Sequence, residues 1–360
     1  MTARKKTIAV LSLLLLTGCD LVLLNPSGDI AAQQGDLIIY ATVLMLIVIL
    51  PVMALTLFFA FHFRASNKKA RYEPDWDHSI SLEIVVWSVP LGIIICLAGL
   101  TWVATHRLNP YDDLTRISES QPIDPNVEPM TIQVVAMDWK WMFIYPEHNI
   151  ATINEVAVVV DRPIEWHLTS TTVMNSFYVP AMAGMIYAMA GMQTELNAVM
   201  NEPGTYDGFS ANYSGAGFSY MRFDLKSVDE AGFDAWVDAV RSGAERDLDR
   251  EHFQILDQPT VDHPATYFGG VEEGLWDRIL NMCVGEDELC RDDMMMVDAL
   301  GGGGIEGLWN RQLFAGICDA DDPTALFALI RPDLLENSRD ILASAELLPA
   351  QSEQPASIAN

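Results

Sequence analysis

The sequence predicts a membrane-anchored α + β chain: a two-helix transmembrane hairpin, then a β-sandwich, then a helical C-terminal extension. Three observations lead there. Two apolar runs, residues 37–63 and 84–105, are each long enough for the roughly 20 helical residues that cross a bilayer. Charge is divided, with 8 basic and 7 acidic residues in 1–110 but 13 basic and 42 acidic in 111–360. From Met130 to Val228 short strand-like runs alternate with turns. At 360 residues and 50% hydrophobic, the chain has room for an anchor and at least one water-facing domain. The acidic second part argues against nucleic acid as a partner, since that needs a basic footprint. It reads as a solubilising surface, with attraction of a basic protein as the second reading.

The N-terminus has the architecture of an export signal. Arg4-Lys5-Lys6 is followed by an apolar run from Ile8 to Leu16 and then by Leu16-Thr17-Gly18-Cys19. Small residues before a cysteine form a lipobox, so residues 1–18 are expected to be a lipoprotein signal peptide and Cys19 the lipid attachment point.

Residues 19–110 then form the anchor. Pro51 and Pro90 fall inside the two spans, where neighbouring helices re-satisfy the freed backbone groups. Arg64, Lys68, Lys69 and Arg71 lie between the spans, which places that connection on the cytoplasmic side. Everything after His106 then faces outward, in agreement with the export signal. Glu83 sits at the cytoplasmic start of the second span. It is a proton-pathway residue or a solvated carboxylate complementing the helix dipole, and position alone does not choose.

Strands are predicted at Thr131–Met137, Trp141–Tyr145, Glu155–Val160, Ile164–Leu168, Ser176–Val179, Glu195–Met200, Thr205–Ala211 and Ser219–Leu225. Ile164, Trp166 and Leu168 alternate with Glu165 and His167, as one buried face requires. After Asp229, Phe233, Trp236, Val237 and Val240 recur at helical spacing opposite Asp234, Asp238 and Arg241. A helical extension is expected over 229–348, with a flexible joint at Gly301–Gly304, one or two helices between Leu308 and Leu348, and a disordered tail at 349–360.

Chemistry-bearing constellations are few. His148, His167 and His252 are too scattered for a local metal cluster. Met174, Met182, Met185, Met189 and Met192 are irregularly spaced among apolar residues, which favours core or subunit-contact packing over a copper box. Cys283, Cys290 and Cys318 can supply one disulfide in an oxidising compartment. A zinc site there is disfavoured, because no histidine follows His263.

Three stretches carry a resemblance. They are Asp138-Trp139-Lys140-Trp141-Met142-Phe143-Ile144-Tyr145, Asn175-Ser176-Phe177-Tyr178-Val179-Pro180, and the loop from Gly208 to Met221 entered through Glu202-Pro203-Gly204. Together with Trp87-Ser88-Val89-Pro90, Thr101-Trp102 and Met189-Ala190-Gly191-Met192-Gln193-Thr194, they resemble subunit II of the haem-copper oxidases. The resemblance implies a cupredoxin-like fold for residues 111–228. In the copper-binding branch the loop carries two cysteines, a histidine and a methionine, where this chain has Ser210, Ser214, Phe218 and Met221. Asn175 stands at the position of the first copper histidine, and Asn212 where a glutamate offers its backbone carbonyl. Only Met221 is retained, and the set resembles the copper-free quinol oxidase branch of cytochrome bo type.

That resemblance implies a non-catalytic subunit of a proton-pumping, oxygen-reducing quinol oxidase in a bacterial inner membrane. The chain would carry no cofactor or metal of its own. The haems and one copper would lie in partner subunit I, further small subunits would be present, and quinol would be the substrate. Glu83 would lie at a proton entrance into subunit I, with Trp139 and Trp141 packing against that subunit. Tyr267-Phe268 is similar to the centre of the family's aromatic extension. Two rivals are a copper-relaying cytochrome c oxidase subunit and a periplasmic lipoprotein binding module unrelated to respiration.

Overall fold

Lys140–Tyr145 decides the layering, because its side chains are apolar on both faces of a strand. Trp141, Phe143 and Tyr145 point one way into one buried cluster, while Met142 and Ile144 point the other way into a second. A strand with period-2 side chains and no polar face belongs to a sheet covered on both sides. A computed structural model describes residues 22–299 apart from positions 72, 74, 125, 126, 286, 287 and 289. Cys19 and the signal peptide, Cys318, Gly301–Gly304 and everything from 300 onward lie outside the described residues.

Two long helices come first, α1 (Asp29–His62) and α2 (Ile80–Arg107). Both are long and apolar enough to cross a membrane, and neither apolar stretch is buried in the chain. A helix that is apolar all round and unburied in protein needs lipid as its solvent. Each helix outruns the predicted span. α1 starts eight residues before Leu37 because its first turns stand clear of the apolar zone and dock on the domain above. There Ser27 and Gly28 N–H donate to Ala181 O at 3.0 and 2.8 Å, and Ala31 N–H donates to Met182 O at 3.2 Å.

The strands are β1 (Arg116–Ser118), β2 (Gln121–Pro122), β3 (Met130–Met137), β4 (Lys140–Tyr145), β5 (Ile150–Ile153) and β6 (Glu155–Val159). They continue with β7 (Ile164–Ser170), β8 (Asn175–Tyr178), β9 (Ile186–Ala188), β10 (Thr194–Ala198), β11 (Gly204–Ser210), β12 (Arg222–Val228) and β13 (Thr266–Phe268). A six-stranded sheet in the order β10-β7-β3-β4-β5-β13 packs on a five-stranded sheet in the order β6-β12-β11-β8-β9, and β1 pairs with β2. β3 runs parallel to β7 and β12 parallel to β6; the other pairs are antiparallel. All eight predicted strands are present. The last begins at Arg222 rather than Ser219, because Phe218–Tyr220 winds into a 3₁₀ turn.

The extension supplies α3 (Glu230–Gly243), α4 (Arg250–Asp257), α5 (Leu275–Leu280) and α6 (Arg291–Ala299). Asp229 caps α3 by accepting from Gly232 N–H, and Asp249 caps α4 by accepting from His252 N–H. Phe233, Val237 and Val240 close one end of the inter-sheet core, as their spacing predicts. Beyond them, Leu248, Phe253, Phe268, Leu275 and Ile279 cover the outward face of β3, β4 and β5. A disulfide joins Cys283 to Cys290.

Candidate functional site

Three of the sequence-predicted site residues come together where β8 begins and β11 ends. Ser210 Oγ donates to Asn175 Oδ1 at 3.0 Å and lies 3.2 Å from Asn212 O, so one hydroxyl proton faces two acceptors. Asn175 Nδ2 donates to Val173 O at 3.1 Å, and Asn212 Nδ2 donates to Met174 O at 3.0 Å. Asn175 and Ser210 are buried. Burying such groups is tolerable because each is hydrogen-bonded to another.

The loop that follows is held from below. Trp139 Nε1 donates to Ser214 O at 3.0 Å, and the indole lies flat beneath Gly215 and Gly217. A Cβ at Gly217 would stand 2.4 Å from that ring, and Gly215 has φ +118°, so only glycine permits this approach. Phe218 packs on Tyr213 with ring centroids 5.7 Å apart. Met221 is fully buried in the inter-sheet core. Ser214 Oγ is buried without a hydrogen-bond partner among the described residues.

Trp141 corrects an expectation. It has no exposed surface and packs edge-on against Phe177 and Phe223 at 5.5 and 5.8 Å, so it cannot pack against another subunit. Its position in β4 explains why, since every second residue of that strand faces the core. Trp139 is only partly buried. Among the methionines, Met182 is in the core, whereas Met174, Met185 and Met192 are exposed.

Glu83 lies far from this cluster, in the first turn of α2. Its Oε1 is 2.6 Å from His78 Nδ1, and both side chains are about half exposed. The sequence reading did not include His78. The signal available was a histidine five residues before the carboxylate, just outside the helix.

Lys140 is a buried charged group that spacing alone did not mark. Its Nζ donates to Gln258 O at 2.9 Å, Thr260 Oγ1 at 2.8 Å and Asp138 O at 3.3 Å. Burial pushes its pKa down, although Asp257 and Asp138 oppose that. Burial likewise raises the Asp257 carboxyl. The ammonium thereby ties the turn before β4 to the extension.

Two family models match the chain. That for the periplasmic domain of cytochrome c oxidase subunit II covers residues 146–228, and that for the cytochrome oxidase aromatic-rich motif covers residues 244–287. The cytochrome bo(3) ubiquinol oxidase subunit 2 of Pseudomonas aeruginosa is 47% identical over 278 residues, which is 77% of this chain and 81% of that protein. The chain belongs to the quinol oxidase subunit II family. The ubiquinol oxidase subunit 2 of Acetobacter aceti is 45% identical over 269 residues, 75% of this chain and 85% of its own. The quinol oxidase subunit 2 of Bacillus cereus is 36% identical over 248 residues, 68% and 82% respectively. Among solved structures, the periplasmic domain of cytochrome oxidase subunit II of Bradyrhizobium japonicum matches 32% of this chain and 96% of that one, at 22% identity and TM-score 0.30.

A wider family that includes cytochrome c oxidases raises the question of a copper pair. The side chains present here do not fit one. A copper pair needs soft thiolate and imidazole donors. Asn175 offers an amide already bonded to Ser210, the hydroxyls of Ser210 and Ser214 are hard oxygens, and Phe218 has no lone pair. Met221 alone is a weak ligand.

Proposed function

We propose that this chain is the non-catalytic second subunit of a proton-pumping terminal quinol oxidase, which oxidises membrane quinol and reduces oxygen to water. The observation that carries the reading is the Ser210–Asn175 hydrogen bond. It fills, with groups that satisfy each other, the place where a copper relay would need thiolate and imidazole. Homology to subunits named ubiquinol oxidase subunit 2 supports it.

In this reading the haems and a single copper belong to subunit I, and so does the quinol site. Quinol is lipid-soluble and reaches that subunit laterally, so no electron has to cross this chain. A soluble electron donor would instead need a docking face and a metal relay. Asn175, Ser210, Asn212, Ser214 and Phe218 are then former ligand positions, and Met221 survives as core. Val173, Met174, Tyr213 and Tyr220 are exposed on the loops around this shell and form the face we assign to subunit I, with Trp139 beneath. Small further subunits complete the complex.

The anchor lies in the bacterial inner membrane with the basic connection inside and the sandwich in the periplasm, and Cys19 carries lipid after removal of residues 1–18. Glu83, paired with His78, borders a proton entrance into subunit I. The domain division follows: anchor to residue 110, copper-free sandwich to 228, and extension beyond.

The test is gentle detergent purification of the whole complex, followed by a haem spectrum, metal analysis and oxidation assays. Quinol oxidation with copper accounted for by subunit I is the expected result. Rapid oxidation of reduced cytochrome c, with additional copper on this chain, would overturn the proposal. Purification of this chain alone and free of haem would overturn it as well.

A further inference from the structure

At the outer end of the hairpin, α1 and α2 leave a groove of about 180 Å³ between them. Its walls are Leu37, Tyr40, Leu100 and Val103, and Asp36 and Arg107 line it as well. Gln33 and Arg107 also line a polar cavity of about 390 Å³ shared with Asp112, Asp113 and Arg116. The depth is fixed by the sequence. Asp36 immediately precedes the apolar run of α1, and Arg107 is the last residue of α2, so both lie at headgroup level.

Arg116 nearby is held by Asp29 at 2.9 Å. Asp36 and Arg107 line one groove, yet among the described residues neither takes an ion pair or a hydrogen bond through its side chain. Both side chains are exposed in the chain, so each can meet a charged headgroup at this level. A ligand that carries both signs pairs with both.

We propose that this groove seats one zwitterionic, ammonium-bearing glycerophospholipid of the outer leaflet. Its phosphate faces the Arg107 guanidinium, which suits a phosphate's paired oxygens. Its ammonium faces Asp36, and one acyl chain lies along Leu37, Tyr40, Leu100 and Val103. An anionic lipid is disfavoured, because Asp36 would face it and Asp112 and Asp113 border the adjoining cavity. The proposal rests on the outward topology and the haem-bearing complex proposed above, and loss of the haem spectrum would count against that reading rather than against this one.

The experiment uses the intact complex, stripped of loosely bound lipid and placed in nanodiscs of equimolar phosphatidylethanolamine and phosphatidylglycerol. Lipid retained after a detergent wash is counted by native mass spectrometry, and the haem spectrum confirms assembly. The wild type is expected to hold one phosphatidylethanolamine. Asp36→Asn and Arg107→Gln should each lower its retention roughly tenfold, the weight of one charge-assisted contact. Leu100→Trp, which fills the groove without altering either charge, should displace it as well. Equal retention of phosphatidylglycerol, or undiminished phosphatidylethanolamine in all three variants, would overturn the assignment. So would a partner helix, or this chain's own N-terminal lipid, found filling the groove.

Discussion

Asn175 and Ser210 lie 35 residues apart and meet through one buried hydrogen bond. Removing the hydroxyl strands the Asn175 carbonyl oxygen, and an unsatisfied buried acceptor costs about 1–3 kcal/mol. Ser210→Ala is therefore expected to lower the unfolding free energy of the sandwich by that amount, seen as a lower midpoint in chemical unfolding of the full chain in detergent. An unchanged midpoint would mean that the pair is incidental. The donor set gives a second prediction. Ser210→Cys alone offers one thiolate and is expected to bind no stoichiometric copper. Asn175→His, Ser210→Cys, Ser214→Cys and Phe218→His together supply soft ligands at the start of β8, the end of β11 and the loop that follows, with Met221 already in place, and should yield a purple, copper-loaded protein. A folded fourfold variant that stays colourless in excess copper would show that the shell no longer has the spacing of a copper site. These positions were legible in the sequence because their order along one loop is a pattern. The bond between Asn175 and Ser210 was not, since nothing in a linear spacing says which strand ends meet. Trp141 was misread for a related reason: only the register of β4 reveals which side of the sheet a residue occupies.

Glu155, at the start of β6, shows how elements are fastened to one another. Its carboxylate accepts from Trp236 Nε1 of α3 at 2.8 Å and lies 2.9 Å from Lys226 Nζ of β12. Burial alone would raise its pKa, but the bonds from Trp236 and Lys226 outweigh that and hold it below the ordinary glutamate value. A carboxyl depressed on folding stabilises the folded state fully above its unfolded value and loses that contribution as pH falls through the folded value. Glu155→Gln is thus expected to cost about 1–3 kcal/mol near neutrality. The gap from wild type should close on acidification below the ordinary glutamate range, and a gap independent of pH would assign the loss to packing instead. Long and strongly patterned elements were readable: both membrane helices, the eight strands and the Phe233–Val240 stripe. β5, β9 and β13 were not, because runs of three or four residues are too short to display a period of two and take their order from neighbours. β4 needed a partner for its outer face, and the Tyr267-Phe268 extension supplies it. Apolar residues on both faces of that strand were the available clue.

At the scale of the whole molecule, the anchor and the exported sandwich are joined at a fitted seat rather than by a slack tether. Gly28 is pressed against the backbone of the β-domain, and a Cβ there would lie 2.5 Å from Met182 O and 2.7 Å from Val199 O. Those atoms are main chain inside a sandwich and cannot swing aside as a flexible side chain would. Around this contact Asn201 N–H donates to Ser27 O at 2.8 Å, and the buried Asp29 carboxylate holds Arg116 at 2.9 Å and Gln33 Nε2 at 2.7 Å. Asp29 also sits in the first turn of α1, where the helix dipole favours a negative charge. Composition announced two separate parts here, because a neutral apolar third precedes an acidic remainder; the seat depends on one small residue and left no mark in either pattern. Gly28→Ala is expected to push the helix end off the domain at a cost of about 1–3 kcal/mol. The sandwich core does not contain Gly28, so near-ultraviolet circular dichroism should be unaltered while amides of residues 27–31 exchange faster and protease cuts more readily between 108 and 130. Unchanged exchange at those amides would show that the domain tolerates the extra methyl and that the seat is not rigid. The same variant separates two ways of presenting the sandwich to a partner. If the fitted seat fixes its orientation, loosening it should weaken assembly of the proposed complex even though the loops around Asn175, the face assigned above to subunit I, are unaltered in sequence.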